Sequence, residues 1–144
     1  MENKFLQTQH KLLWNLISDR DFLIDNKHNS IITMKINAIR ELHNITQSSI
    51  DPSEYYNIRK HLYCYACLYA DNEVDKVDYK GNSCDLCPLI GMRCNDENED
   101  GNSLYGNFAD AFESGDIEEA SQWAVSIANA IVKDGVVVDE NLHV

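Results

Sequence analysis

The sequence predicts a mainly α-helical domain in which a small cysteine-rich insert joins N-terminal helices to a C-terminal helical hairpin. Three observations carry that expectation. Apolar residues recur at helical spacing at both ends of the chain, helix-start signatures stand at residues 51 and 116, and every cysteine falls within residues 64–94.

Over residues 3–18, Leu6, Leu13, Leu16 and Ile17 share one helical face, flanked by Phe5, Leu12 and Trp14, which predicts an amphipathic helix. Asp, Asn, His and Ser crowd residues 19–30, so that segment is expected as a loop with Phe22, Leu23 and Ile24 turned inward. Ile32, Ile36 and Ile39 then repeat at helical spacing and predict a second helix over about 31–45, ended by the polar run 46–51. Asp51 can cap a third helix, Pro52 suits a first turn that leaves its N–H unpaired anyway, and Glu54 can reach back to the cap backbone. That helix runs to about residue 63 with Tyr55, Ile58 and Leu62 on its apolar face, and it delivers the chain to Cys64.

Beyond the cysteines, the polar run DENEDGNS is a break, and Ser103 can cap a short helix with Leu104, Phe108, Ala111 and Phe112 on one face. Gly115 ends it. Asp116 caps the next helix with Glu119 at the capping-box position, and Ile117, Ala120, Trp123, Ala124, Ile127, Ala128 and Ile131 form its stripe. Val136, Val137 and Val138 could form a strand, but no partner strand is evident, so a docked or frayed tail is expected over residues 135–144. The whole chain, 1–144, reads as one domain: helices over 1–63, the cysteine element over 64–94, a hairpin over 103–132 and the tail.

Composition bounds the class. Of 144 residues, 44% are hydrophobic and 25% charged, with six glycines and two prolines, which excludes a disordered or low-complexity chain. No apolar run is long enough to cross a bilayer, and MENKFLQTQHKLLWNLISDR lacks the features of a signal peptide, so a cytoplasmic protein is expected. A reducing cytosol disfavours disulfides, which turns attention to metal ligation. The net charge of −12 is unevenly placed: residues 1–63 carry eight Lys/Arg against seven Asp/Glu, and residues 64–144 carry four against seventeen. Such a field repels phosphate backbones, argues against nucleic acid as a direct ligand, and favours a basic protein partner or simple solubility.

Cys64-x2-Cys67 and Cys84-x2-Cys87, with sixteen residues between the pairs, match the spacing of a four-cysteine zinc site. Each Cys-x2-Cys turn aims two sulfurs at one point, and two turns supply the tetrahedral set that a structural Zn²⁺ prefers. The insert is therefore expected as a four-cysteine zinc ribbon or knuckle holding one structural zinc per chain. Four thiolates also suit an iron–sulfur cluster, whereas a thioredoxin-like redox pair lacks its βαβ setting. Cys94 is the spare: it could replace one ligand, sit behind the four, or be an ordinary buried cysteine, and His61 is a weaker alternative ligand. A closed four-thiolate shell leaves no position for a catalytic water, and no His-x-Glu of the deaminase type precedes a cysteine pair.

Other chemistry is weaker. Residues 96–101 match the opening of a calcium-binding loop, but Ser103 and Asn107 stand where an apolar residue and a closing glutamate are needed, so Ca²⁺ is not expected. The histidines His10, His28, His43, His61 and His143 are scattered, and no catalytic triad, phosphate loop or paired-carboxylate motif emerges. Tyr55, Tyr63 and Tyr65, with Arg59, Lys60 and Arg93, could form an aromatic and basic face for a nucleotide, against the simpler role of packing around the metal.

The order His10-x3-Trp14, Cys64-x2-Cys67-x2-Ala70, Cys84-x2-Cys87-Pro88-Leu89, Cys94 and an Ala/Ile-rich closing helix over 120–130 resembles a group of small bacteriophage proteins. The resemblance implies a phage accessory protein acting in the host bacterial cell, makes Cys94 part of the pattern, and brings no reaction with it. The expected function is a non-enzymatic, zinc-stabilised protein that binds and modulates a host protein with a basic surface, such as a component of defence or nucleic-acid machinery. A sponge for a nucleotide signal and a metal-dependent enzyme are the alternatives, and self-association is open to it.

Overall fold

In the computed structural model, residues 4–46, Tyr69, 87–91 and 103–140 are described. The expected helix over 51–63, the ligands Cys64, Cys67 and Cys84, the spare Cys94, the face residues Tyr55, Arg59, Lys60, Tyr63, Tyr65 and Arg93, His61, and the acidic run 96–102 lie outside them.

Strand β1 (Phe5–Leu6) leads into helix α1 (Gln7–Ile17), whose buried residues Gln9, His10, Leu13, Trp14 and Ile17 sweep an arc of roughly 140° at 100° per residue. The helix stops at Ser18, and Asp19 turns out in extended backbone to accept from the Phe22 amide at 3.1 Å, which starts helix α2 (Arg20–Asp25). A helix here corrects the expected loop. At six residues it is too short to display apolar periodicity, and its mark in the sequence is the cap aspartate alone. Leu23 is buried and Phe22 packs on the core, but Ile24 faces solvent, because three consecutive helical residues cannot share one face.

Helix α3 (Ile31–Thr46) begins where the Ser30 hydroxyl accepts from the Thr33 amide at 3.1 Å. Among its described side chains Met34, Lys35, Ala38, Ile39 and Leu42 are buried, while Ile32 and Ile36, which with Ile39 set the helical spacing, are half-buried. Asn26 ties α2 to α3: its carbonyl oxygen accepts from both Asn29 and Asn37 at 2.9 Å, and its amide donates to the Phe22 carbonyl.

The C-terminal hairpin is as expected in outline. Ser103 accepts from the Gly106 amide at 2.9 Å and opens helix α4 (Leu104–Glu113); a Cβ at Gly106 would stand 2.6 Å from that hydroxyl. Gly115, at φ +81°, donates to the Phe112 carbonyl, and Asp116 donates to that of Ala111, the two bonds that close a helix through a left-handed residue. Asp116 then accepts from the Glu119 amide at 3.0 Å and opens helix α5 (Ile117–Ala128). The reciprocal half of the expected capping box is absent, since the Asp116 N–H is already bonded to Ala111; Glu119 instead accepts from the Trp123 indole at 3.3 Å. Ala120, Ala124, Ile127 and Ala128 are buried, whereas Ile131 lies past the helix end and is 69% exposed.

Strand β2 (Val138–Asp139) pairs in parallel with β1, Phe5 opposite Val138 and Leu6 opposite Asp139. The valines therefore have a partner after all: it is the N-terminal segment, whose apolar spacing reads as the start of the first helix. The core assembles where α4 packs on α5, and α1 packs on both α5 and α3. Trp14 is at its centre, edge-on to Phe108 at 5.2 Å and to Tyr105 at 6.3 Å, with Phe108 stacked on Phe112 at 6.0 Å. No helix among the described residues is long and apolar enough to cross a membrane.

Phe5 is fully buried, paired through its backbone to β2 and through its ring to His10 and Tyr69. Phe5→Ala is expected to cost about 3–5 kcal/mol in denaturant unfolding, whereas Val137→Ala, at a position 41% exposed, costs less than about 1 kcal/mol.

Candidate functional site

The cysteine element meets the helical core at two described places. Residues 87–91 run beside the segment that follows α5: Leu89 forms an antiparallel bridge with Val132, the Ile90 amide donates to the Ile131 carbonyl, and the Lys133 amide donates to the Pro88 carbonyl, both at 2.8 Å. Gly91, at φ +77°, then offers its carbonyl to the Leu104 amide at 2.9 Å, which ties the exit of this segment to the first residue of α4. Leu89 is 1% exposed and Cys87 3%. The second place is Tyr69, two residues after Cys67, which is buried with its ring edge-on to Phe5 at 6.5 Å.

Tyr69, Cys87 and Leu89 thus belong to the same buried cluster as Phe5, Leu13 and Ile127. Burial among apolar side chains opposes ionisation of a lone thiol. Cys87 is therefore placed as a buried side chain, either a small apolar group or a thiolate neutralised by a metal, and not as an exposed reactive thiol. Among the described residues no three His, Cys, Asp or Glu side chains stand together at metal-binding positions. Of the expected ligands only Cys87 is among the described residues.

Sequence reasoning missed a set of buried polar groups on α1. His10 is 1% exposed and its Nε2 lies 2.9 Å from the Ile127 carbonyl; a carbonyl only accepts, so Nε2 carries the proton and Nδ1 is a bare lone pair. Among the described residues that Nδ1 has no hydrogen-bond partner, and neither do the side-chain amide atoms of Gln9 or the indole N–H of Trp14. Burial pushes the His10 pKa down from 6.5 to about 4, opposed by the bond to Ile127 and assisted by Lys11. The available signal was Gln9 itself, a polar residue inside the apolar arc that carries Leu13 and Ile17. Lys35 was missed as well; it is 5% exposed, and its ammonium meets the Tyr105 hydroxyl and ring face.

The folded state holds His10 neutral down to about pH 4, while the unfolded chain takes up the proton near pH 6.5. Stability from this group is thus fully present above 6.5 and is lost as pH falls toward 4, a span of roughly 3 kcal/mol. Thermal melts from pH 7.5 to 4.5 should show a falling midpoint that is shallower in His10→Gln, which keeps a donor for Ile127 but does not titrate. An equal slope in the variant would assign the acid sensitivity to other groups.

Comparison of the chain with protein-family models, with curated proteins and with solved structures finds no match.

Proposed function

We propose that this is a zinc-stabilised bacteriophage accessory protein, non-enzymatic, that acts by binding and modulating a host protein with a basic surface. The observation that carries the reading is the arrangement of charge on the hairpin: Asp110, Glu113, Asp116, Glu118 and Glu119 are all exposed on α4, the turn and α5. In the described stretch 103–140 Lys133 is the sole Lys or Arg, and it is half-buried. Such a surface attracts a basic partner and disfavours phosphate backbones.

The residues fit a structural metal. Zn²⁺ would be held by Cys64, Cys67, Cys84 and Cys87, with Cys94 beside them, and would supply folding free energy to a segment too polar to fold by itself. Support comes from Cys87, which is buried and whose neighbours Pro88, Leu89 and Ile90 bond to residues 131–133. In this reading the metal orients the acidic surface and takes no part in a reaction.

Native mass spectrometry of the purified chain is expected to show one zinc, lost with strong chelators together with cooperative unfolding. A folded, metal-free protein with five titratable thiols would overturn the zinc assignment. For the partner, immobilised protein should retain a stoichiometric host protein from bacterial lysate at low salt and release it as salt rises through the range where the Debye length shrinks below ~8 Å. Retention of none at low salt would overturn the host-protein reading.

A further inference from the structure

Helices α1, α2 and α3 leave an open groove of about 470 Å³. Its floor is apolar, built from Leu12 and Leu16 of α1, Phe22 of α2 and Leu42 of α3. Its rim is acidic: Asp19, Asp21 and Asp25 stand on the α2 side and Glu41 on α3, all exposed. These are four of the seven carboxylates in residues 1–63, a stretch whose overall charge is close to zero. The neutral sum hides a local concentration of negative charge.

Two cations of residues 4–46 are engaged elsewhere. Arg20, inside the run that supplies the rim, reaches across to Glu118 of α5 at 2.6 Å, and Lys35 of α3 is buried on Tyr105. No Lys, Arg or His lines the groove among the described residues. Asn15 of α1 completes the lining as an uncharged polar residue. Anionic lipid headgroups would be repelled by the rim. A second copy of this chain, at net −12, would also be opposed by charge.

We infer that this groove is the docking site for a basic amphipathic helix of the partner, an inference that rests on the host-protein reading above and names the surface that grips it. Apolar side chains of the incoming helix, spaced i, i+3, i+4 and i+7, enter between Leu12, Leu16, Phe22 and Leu42 and supply the contact area. Lysines and arginines flanking that stripe meet Asp21, Asp25 and Glu41 on the rim, where the carboxylates stay solvated and the pairing adds rate and specificity at little desolvation cost.

The test uses the full zinc-bound chain, ¹⁵N-labelled, titrated with a synthetic peptide of about 18 residues carrying leucines at that spacing and Lys/Arg on the flanks. A matched peptide with Glu in place of Lys/Arg is the control. The basic peptide should shift the amides of Leu12, Leu16, Phe22, Asp25 and Glu41 and leave the hairpin turn unmoved. The doubly reversed protein Asp25→Lys/Glu41→Lys, altered at exposed positions that cap no helix, should keep its melting temperature and lose affinity roughly tenfold or more. Shifts confined to α4 and α5, equal binding of the Glu peptide, or unchanged affinity after charge reversal would each overturn the inference. If the reversed protein still retains the host protein captured by the unsubstituted chain, the groove is wrong and the host-protein reading stands. If the unsubstituted chain captures none, that reading fails while the peptide titration still decides the groove.

Discussion

Helix α1 must be buried against α3 and α5 at once, and the rest of the structure depends on that constraint. Trp14 fills the junction, with its ring held edge-on by Phe108 and Tyr105 of α4. Burying so wide an arc carries the polar groups of Gln9, His10 and Trp14 inside, and each unpartnered polar group costs about 1–3 kcal/mol. The aromatic packing and the large apolar area buried around Leu13, Trp14 and Ile17 must offset that penalty. His10 accepts the same constraint by staying neutral and giving its one N–H to α5.

A central first helix also dictates how the chain closes. Because α1 lies between elements from both halves, the segment before it emerges beside the segment after α5, and the two pair as β1 and β2. Residues 131–133, set apart from β2 by the turn at Gly135, receive Pro88, Leu89 and Ile90. The chain after α5 therefore accepts the cysteine element at 131–133 and the N-terminal segment at 137–139, at two successive places. Closing contacts this distant in sequence is entropically expensive. In the proposed reading a metal bound by the cysteines offsets part of that cost, since it binds the folded arrangement and not the open chain.

What was legible in the sequence follows the length scale of each signal. Helices α3, α4 and α5 were readable because each spans ten or more residues with a periodic face, and Ser103, Gly115 and Asp116 mark their ends by local chemistry. Helix α2 was not, because six residues give no period. The pairing of Phe5 with Val138 was invisible for a different reason: two-residue strands have no pattern of their own, and only the tertiary position of α1 brings them together. The isoleucine spacing was enough to show α3, while its buried stripe of Met34, Ala38, Ile39 and Leu42 is set by the tertiary position of α1. Of the candidate site, the cysteine spacing was plain, whereas the attachment of Pro88, Leu89 and Ile90 to residues 131–133 is a backbone event that no side-chain motif encodes.

The two acidic regions differ in what they can contribute to binding. The hairpin turn presents Asp110, Glu113, Asp116, Glu118 and Glu119 on its exposed surface, whereas the groove sets its carboxylates around Leu12, Leu16, Phe22 and Leu42. Charge alone raises encounter rates and falls with salt, while affinity comes chiefly from apolar side chains seated in pockets. A division of labour follows under the proposed function, with the hairpin steering and the groove holding. Arg20 makes the two compatible. Placed between Asp19 and Asp21 and bonded to Glu118, it introduces a positive charge where α2 meets α5, so that the two acidic regions approach without a matching repulsion. As an exposed pair this contact adds little to stability, and its value lies in letting a strongly acidic molecule concentrate its negative charge on two surfaces at once.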